Sequence, residues 1–214
     1  IDGEGSTHNQ LFKIKNNELR TAAIIDGESI PIASIRVRAT DDGGLFYDQI
    51  LSVVVADAPD PPTDIFLSGN SLKMFERTGT EIGQLSVTDP DANDSHKFSL
   101  QENSRGTSND LFFIDGTTLV SNHVFNETSN TSQLIRITAI DSAGLTKTKD
   151  FFVEITTAEK PDGFLVNVDK EPPEGGLVAG AGYYRDGESV TLKTTSNSGY
   201  SFSGHIGDVP GGFT

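Results

Sequence analysis

Cysteine and tryptophan are both absent from the 214 residues, and methionine occurs once. Without thiols the chain forms no disulfide, no thiolate nucleophile and no Cys-ligated metal site. Basic residues are also scarce. Sixteen Lys and Arg stand against 31 Asp and Glu, for a formal charge of −15. A surface that acidic repels phosphate backbones and anionic lipid, which argues against nucleic-acid and membrane-surface partners and favours cations. No apolar run approaches the ~20 residues needed to cross a bilayer, so no direct membrane insertion is expected. Apolar residues make up 35% of the chain and aromatics 8%, enough for modest cores but not for one large one. The start, Ile1-Asp-Gly-Glu-Gly-Ser6, is neither an initiator Met nor a charged stretch leading into an apolar one. With the equally abrupt Pro210-Gly-Gly-Phe-Thr214, it reads as a fragment of something longer.

What the chain does have is alternation. Apolar residues recur every second position in Ile35-Arg-Val-Arg-Ala39, Ile50 to Val55, Gly83 to Val87 and Phe151 to Ile155, as half-buried strands require. Clusters of Asp, Asn, Gly, Ser and Pro between them favour turns. Helical periodicity is nearly absent. Sliding the chain by 100 residues aligns Asn9 to Asp57 with Asn109 to Thr157 without a gap, with 13 identities in 49 positions. Leu11-Phe12-x-Ile14 falls on Leu111-Phe112-x-Ile114, and Ile35-Arg36-Val37-x-Ala39-x-Asp41 on Ile135-Arg136-Ile137-x-Ala139-x-Asp141. A unit of about a hundred residues of strands is the size of an immunoglobulin-like sandwich. The expected fold class is therefore all-β: tandem Greek-key sandwiches followed by a small C-terminal β domain. The phase places the second half of one unit at 1–57 and a complete unit at 63–157. A separate, non-repeating segment follows at 163–214. Linkers are expected at 58–62 and 158–162.

Acids collect between the strands: Asp26-Gly-Glu28, Asp57-Ala-Pro-Asp60, Asp89-Pro-Asp91 and Asp141. Turns gather at the ends of a sandwich, so acids from different turns can converge at one pole. Such a set repels itself unless a cation neutralises it. Ca2+, with about 6–8 oxygen ligands in flexible geometry, suits it better than Mg2+ or a softer metal. Taken singly, each motif is also an ordinary turn sequence; repeat phase and order point to the cation.

These motifs resemble tandem cadherin repeats, particularly the cadherin-like modules of bacterial surface proteins. Asp26-Gly-Glu28 matches the family's Asp-x-Glu, Asp89-Pro-Asp91 its Asp-x-Asp, and Ala139-Ile-Asp141 its Ala-x-Asp. Val55-Ala-Asp-Ala-Pro-Asp-Pro-Pro-Thr-Asp-Ile65 resembles its linker, with Pro59 in place of Asn, and Glu76 to Gly83 its acid-bearing first loop. The resemblance covers residues 1–157. It implies a calcium junction between repeats held by Asp26, Glu28, Asp57, Asp60, Asp89, Asp91 and Asp141. Asp41 and Glu76 would serve neighbouring junctions. At the next junction Asn126, Thr128, Thr157 and Lys160 stand opposite Asp26, Glu28, Asp57 and Asp60, so no strong calcium site is expected there. The third segment, with Gly175-Gly-Leu-Val-Ala-Gly-Ala-Gly-Tyr-Tyr184, Gly187 to Leu192 and Gly199 to Gly204, resembles the divergent B-type repeats of internalin-like bacterial proteins over Phe164 to Asp208. His205 stands where those repeats carry Trp.

Phe12, Phe112, Phe113, Phe125, Phe151 and Phe152 are expected in the core. His8, His96, His123 and His205 are scattered, without metal-ligand spacing. The sequence holds no Gly-x-Ser-x-Gly elbow and no nucleotide-binding Gly loop in strand-to-helix context, and the acids sit in polar turns rather than a cleft, so no enzyme is expected. Asn93, Asn126 and Asn130 begin formal glycosylation sequons, relevant only in a eukaryotic secretory pathway. The expected function is a calcium-binding adhesive stalk segment of a secreted or cell-surface bacterial protein, with a cell-surface protein or a glycan as its partner. An accessory, glycan-binding module of a secreted polysaccharide-degrading enzyme is the alternative. Homophilic adhesion by Trp exchange ranks last, for want of a Trp.

Overall fold

Each of the alternating runs lies in a strand, with Val55 alone falling one residue past the end of its own. The structure is a computed structural model that describes residues 1–101 and 106–204. Among these it holds sixteen strands and three single 3-10 turns. The chain divides into two compact units: residues 1–60 with 90–92, and residues 61–89 with the rest from 93 onward. No helix of the described residues is long and apolar enough to cross a membrane.

In the first unit, β1 (Phe12–Lys15) and β2 (Glu18–Thr21) form a hairpin. Asn16 and Asn17 close it at φ 52° and 60°, the left-handed pair that a tight two-residue hairpin turn requires and Asn tolerates. β3 (Ile32–Thr40) and β4 (Phe46–Val54) form a longer hairpin, paired from Ile32–Val54 to Thr40–Phe46. On one face Asp48 accepts hydrogen bonds from Arg38 (2.7 and 2.9 Å) and Arg36 (2.8 Å), which hold its carboxyl well below the usual range. On the other face Ala33 and Ile35 are buried, while Leu51 there, Ile50 on the Asp48 face, and Ile14 and Leu19 of the first hairpin stay exposed. His8 is structural, its Nδ1 accepting the Ser34 N–H at 2.9 Å.

The second unit contains two four-stranded sheets. One has the order β5 (Asp64–Leu67), β7 (Glu81–Thr88), β10 (Thr118–Ser121), β9 (Phe112–Asp115). The other has β6 (Ser71–Lys73), β12 (Thr146–Thr156), β11 (Ser132–Ile140), β8 (Lys97–Leu100). The chain crosses between the sheets, as in a Greek-key sandwich. Their inner faces supply one core, with Ile65, Leu72, Leu119, Phe125, Ile135, Ile137 and Val153 among its members. The elements β9 to β12 begin 100 residues after β1 to β4. Side-chain details follow: Asn9 Oδ1 accepts the Arg36 N–H, and Asn109 Oδ1 the Arg136 N–H.

Phe112 and Phe125 are buried and Phe12, Phe113 and Phe151 half-buried, but Phe152 is exposed. Phe151 and Phe152 are neighbours on β12, where successive side chains point to opposite faces, so only one can turn inward. The C-terminal segment forms two ribbons, β13 (Phe164–Val166) with β15 (Gly182–Tyr184) and β14 (Gly176–Ala179) with β16 (Lys193–Ser196). His205 and Asp208 lie outside the described residues.

Candidate metal centre

The loop between β2 and β3 is shaped by Asp26. Its Oδ1 accepts the N–H groups of Glu28 (3.0 Å) and Ser29 (3.2 Å), and its Oδ2 accepts the Ser29 hydroxyl at 2.7 Å. This side-chain turn brings the Glu28 carboxylate to within 4.8 Å of carboxylate oxygens of Asp57 and Asp91. Gly27 permits the approach: a Cβ there would stand 2.7 Å from Asp57 Oδ1 and 2.9 Å from Asp57 Cα. Asp57 Oδ1 accepts the Ala58 N–H at 3.1 Å, and Asp91 Oδ2 the Asp60 N–H at 2.9 Å. Of the acids expected in this part, Glu28, Asp57 and Asp91 thus converge. Asp60 contributes a backbone N–H that orients Asp91, and Asp26 supports the loop.

Electrostatics register the crowding. Hydrogen bonds from Ser29 and then Glu28 lower the Asp26 carboxyl to about 2. Its hydrogen bond to Asp26, with desolvation and the charge of Asp57, pushes Glu28 up to about 7. The Glu28 carboxyl thus keeps a proton that a carboxylate normally releases, because the acids beside it favour its neutral form. Hard oxygen donors so placed fit a hard divalent cation.

Residues 126–129 provide an internal comparison. Asn126 Oδ1 accepts the Thr128 N–H at 2.9 Å and the Thr128 hydroxyl at 2.7 Å. The same turn therefore forms without charge. Local folding does not require acids at 26 and 28.

In the second unit, Asp89 Oδ2 lies 2.7 Å from His96 Nε2, with both side chains largely buried. Asp94 completes a group whose ligand atoms lie within 4.8 Å. Asp94 accepts the N–H groups of Ser95 (2.6 Å) and Ser142 (3.4 Å), and hydrogen bonding by Ser142 lowers its carboxyl. Asp141, only 6% exposed, accepts the Leu145 N–H on Oδ1 at 2.8 Å. Its Oδ2 is buried with no hydrogen-bond partner, an arrangement that costs stability unless a cation or water answers it. Asp94 and His96 were not expected in a site. The single sign in the sequence is their place five and seven residues after Asp89, across a turn at Asn93, which takes φ 66°.

Comparison with known proteins supports two parts of the chain separately. A family model, the divergent InlB B-repeat domain, matches residues 166–212. The structure is similar to the PcdhgB3 EC1-4 fragment, with TM-score 0.56 and 23% identity over 72% of this chain and 39% of that one. It is similar to human protocadherin-24 EC1-2, with TM-score 0.55 and 15% identity over 74% of this chain and 80% of that one. Protocadherin gamma B7 extracellular cadherin domains 1–4 give TM-score 0.52 and 21% identity, over 71% and 39%. The chain thus spans about two fifths of the four-domain fragments it resembles. At these identities the likeness is one of fold. The chain has an all-β fold similar to cadherin extracellular domains, with an InlB B-repeat match toward its C-terminal end.

Proposed function

We propose that this chain is a non-enzymatic stalk segment of a secreted or surface-anchored bacterial protein, stiffened by calcium. Glu28, Asp57 and Asp91 would hold the ion, with Asp26, Asp60, Asp89 and Asp141 as further ligands drawn from successive repeats and the tether between them. Calcium supplies positive charge that lets carboxylates stay together. Asp26 holds the loop that presents Glu28, and Asp60 fixes one oxygen of Asp91. Without calcium, like charges and a short tether, Ala56 to Pro62, leave the junction free to bend. The observation that carries this reading is the uncharged turn at Asn126 and Thr128, which folds as Asp26 and Glu28 do. Extracellular calcium modules bind at about 10^-4 to 10^-3 M, so such a site would fill outside a cell. Its partner in adhesion would be a cell-surface protein or a glycan.

The test is melting of the full chain with calcium and with chelator. Asp89→Asn with Asp91→Asn should lower Tm in calcium and hardly change it in chelator; equal melting of both proteins in calcium counts against the proposal. The second reading, a glycan-binding accessory module, would need an exposed aromatic platform, and Phe46 and Tyr47 on β4 are exposed. As neighbours on one strand they face opposite sides, so they do not form a single sugar platform.

A further inference from the structure

We infer that the C-terminal segment is locked onto the preceding sandwich by the loop bearing Arg77 and Thr78, and that the Arg77 guanidinium makes this joint independent of calcium. Phe75 takes φ 67°, a conformation that bulky residues avoid. Its N–H is held by the Phe125 carbonyl at 2.8 Å and its ring packs edge-on against Tyr183. Arg77 donates from Nε and Nη2 to the Tyr183 carbonyl (3.1 and 2.8 Å) and from Nη2 to Glu188 (2.6 Å). Its guanidinium lies 3.7 Å over the Tyr184 ring, the geometry of a cation–π contact.

Thr78 is used completely. Its N–H donates to the Ala181 carbonyl, its carbonyl accepts from the Gly180 N–H, and its hydroxyl donates to Val178 O and accepts from Ala181 N–H. Two glycines allow the backbones this close. A Cβ on Gly79 would stand 2.3 Å from that of Ala179, and one on Gly182 would stand 2.7 Å from Arg77 Cγ. A second cation, Lys170, bridges the Asn122 side chain (3.1 Å) and the Gly176 carbonyl (2.8 Å).

The Arg77 charge is already answered by Glu188. Both oxygens of Glu188 are occupied, one by Arg77 and the other by the Arg185 N–H at 3.0 Å, and Arg77 holds this carboxyl low. A divalent ion would have to displace the guanidinium. The ribbons β13–β15 and β14–β16 are two-stranded, a size marginally stable alone, so their order leans on the Arg77–Gly79 loop. This holds whether or not the acidic cluster binds calcium.

Hydrogen exchange on the full chain, in calcium and in chelator, tests the inference. The Gly180 and Ala181 amides should be equally protected in both. Arg77→Ala and Thr78→Val should each speed their exchange by about tenfold or more in both buffers. Ile135 and Ile137 amides should stay protected, reporting an intact sandwich. Should Arg77→Ala disturb those core amides, Thr78→Val decides. Chelator alone opening Gly180 and Ala181 as far as Thr78→Val does, or Thr78→Val leaving them protected, overturns the inference.

Discussion

Asn126 closes its loop as Asp26 does a hundred residues earlier: each side-chain oxygen accepts the N–H two residues on, at 2.9 and 3.0 Å. The turn and the charge are therefore separable. The double substitution Asp26→Asn with Glu28→Thr should leave circular dichroism and the Tm in chelator unchanged or slightly raised, while most of the rise in Tm on adding calcium is lost.

Glu28 and pH give a second expectation. Its carboxyl, ordinarily near 4.5, is raised to about 7 in the folded chain. Between these values the folded chain keeps a proton that the unfolded chain has released, so stability falls as pH rises from 4.5 to about 7. In chelator, Tm should decline across this window, and Glu28→Gln should flatten the decline. With calcium present the decline should be absent, because the ion replaces the proton.

Asp141 should respond oppositely to metal and to chelator. Asp141→Asn keeps the Oδ1 that accepts from Leu145 but removes a buried charge whose other oxygen has no partner. Thermal melting in chelator should show a variant as stable as the parent or more so. In calcium it should be less stable, by ~1–3 kcal/mol if the ion answers that oxygen.

Equivalent leucines should differ in cost. Leu119 is fully buried, whereas Leu19, at the matching position, is 43% exposed. Leu119→Ala should destabilise its sandwich by about 2–5 kcal/mol. Leu19→Ala should change denaturant stability by less than about 1 kcal/mol, since little packing is lost.

The strands were legible in the sequence because a period of two survives at Ile35 to Ala39 and again at Ile135 to Ala139. Glu28, Asp57 and Asp91, which lie together in the structure, could be singled out because each falls in an acidic motif between strands: Asp26-Gly-Glu28, Asp57-Ala-Pro-Asp60 and Asp89-Pro-Asp91. Other features depend on backbone geometry at single residues. Asn93 at φ 66° reverses the chain and returns Asp94 and His96 to Asp89; in the sequence His96 looks isolated. Phe75 at φ 67° turns Arg77 toward Tyr183, more than a hundred residues away. Composition gives no sign of either reversal, since neither position is a glycine. Phe152 was misplaced because two adjacent aromatics look equally fit for a core, although a strand admits only one of them.

Isothermal calorimetry of calcium into the full, chelator-stripped chain tests the metal assignment most directly. Saturable binding at about 10^-4 to 10^-3 M is expected, abolished by Glu28→Gln with Asp57→Asn and kept by Asp41→Asn. No binding at those concentrations, or equal binding by the Glu28→Gln, Asp57→Asn protein, would contradict it.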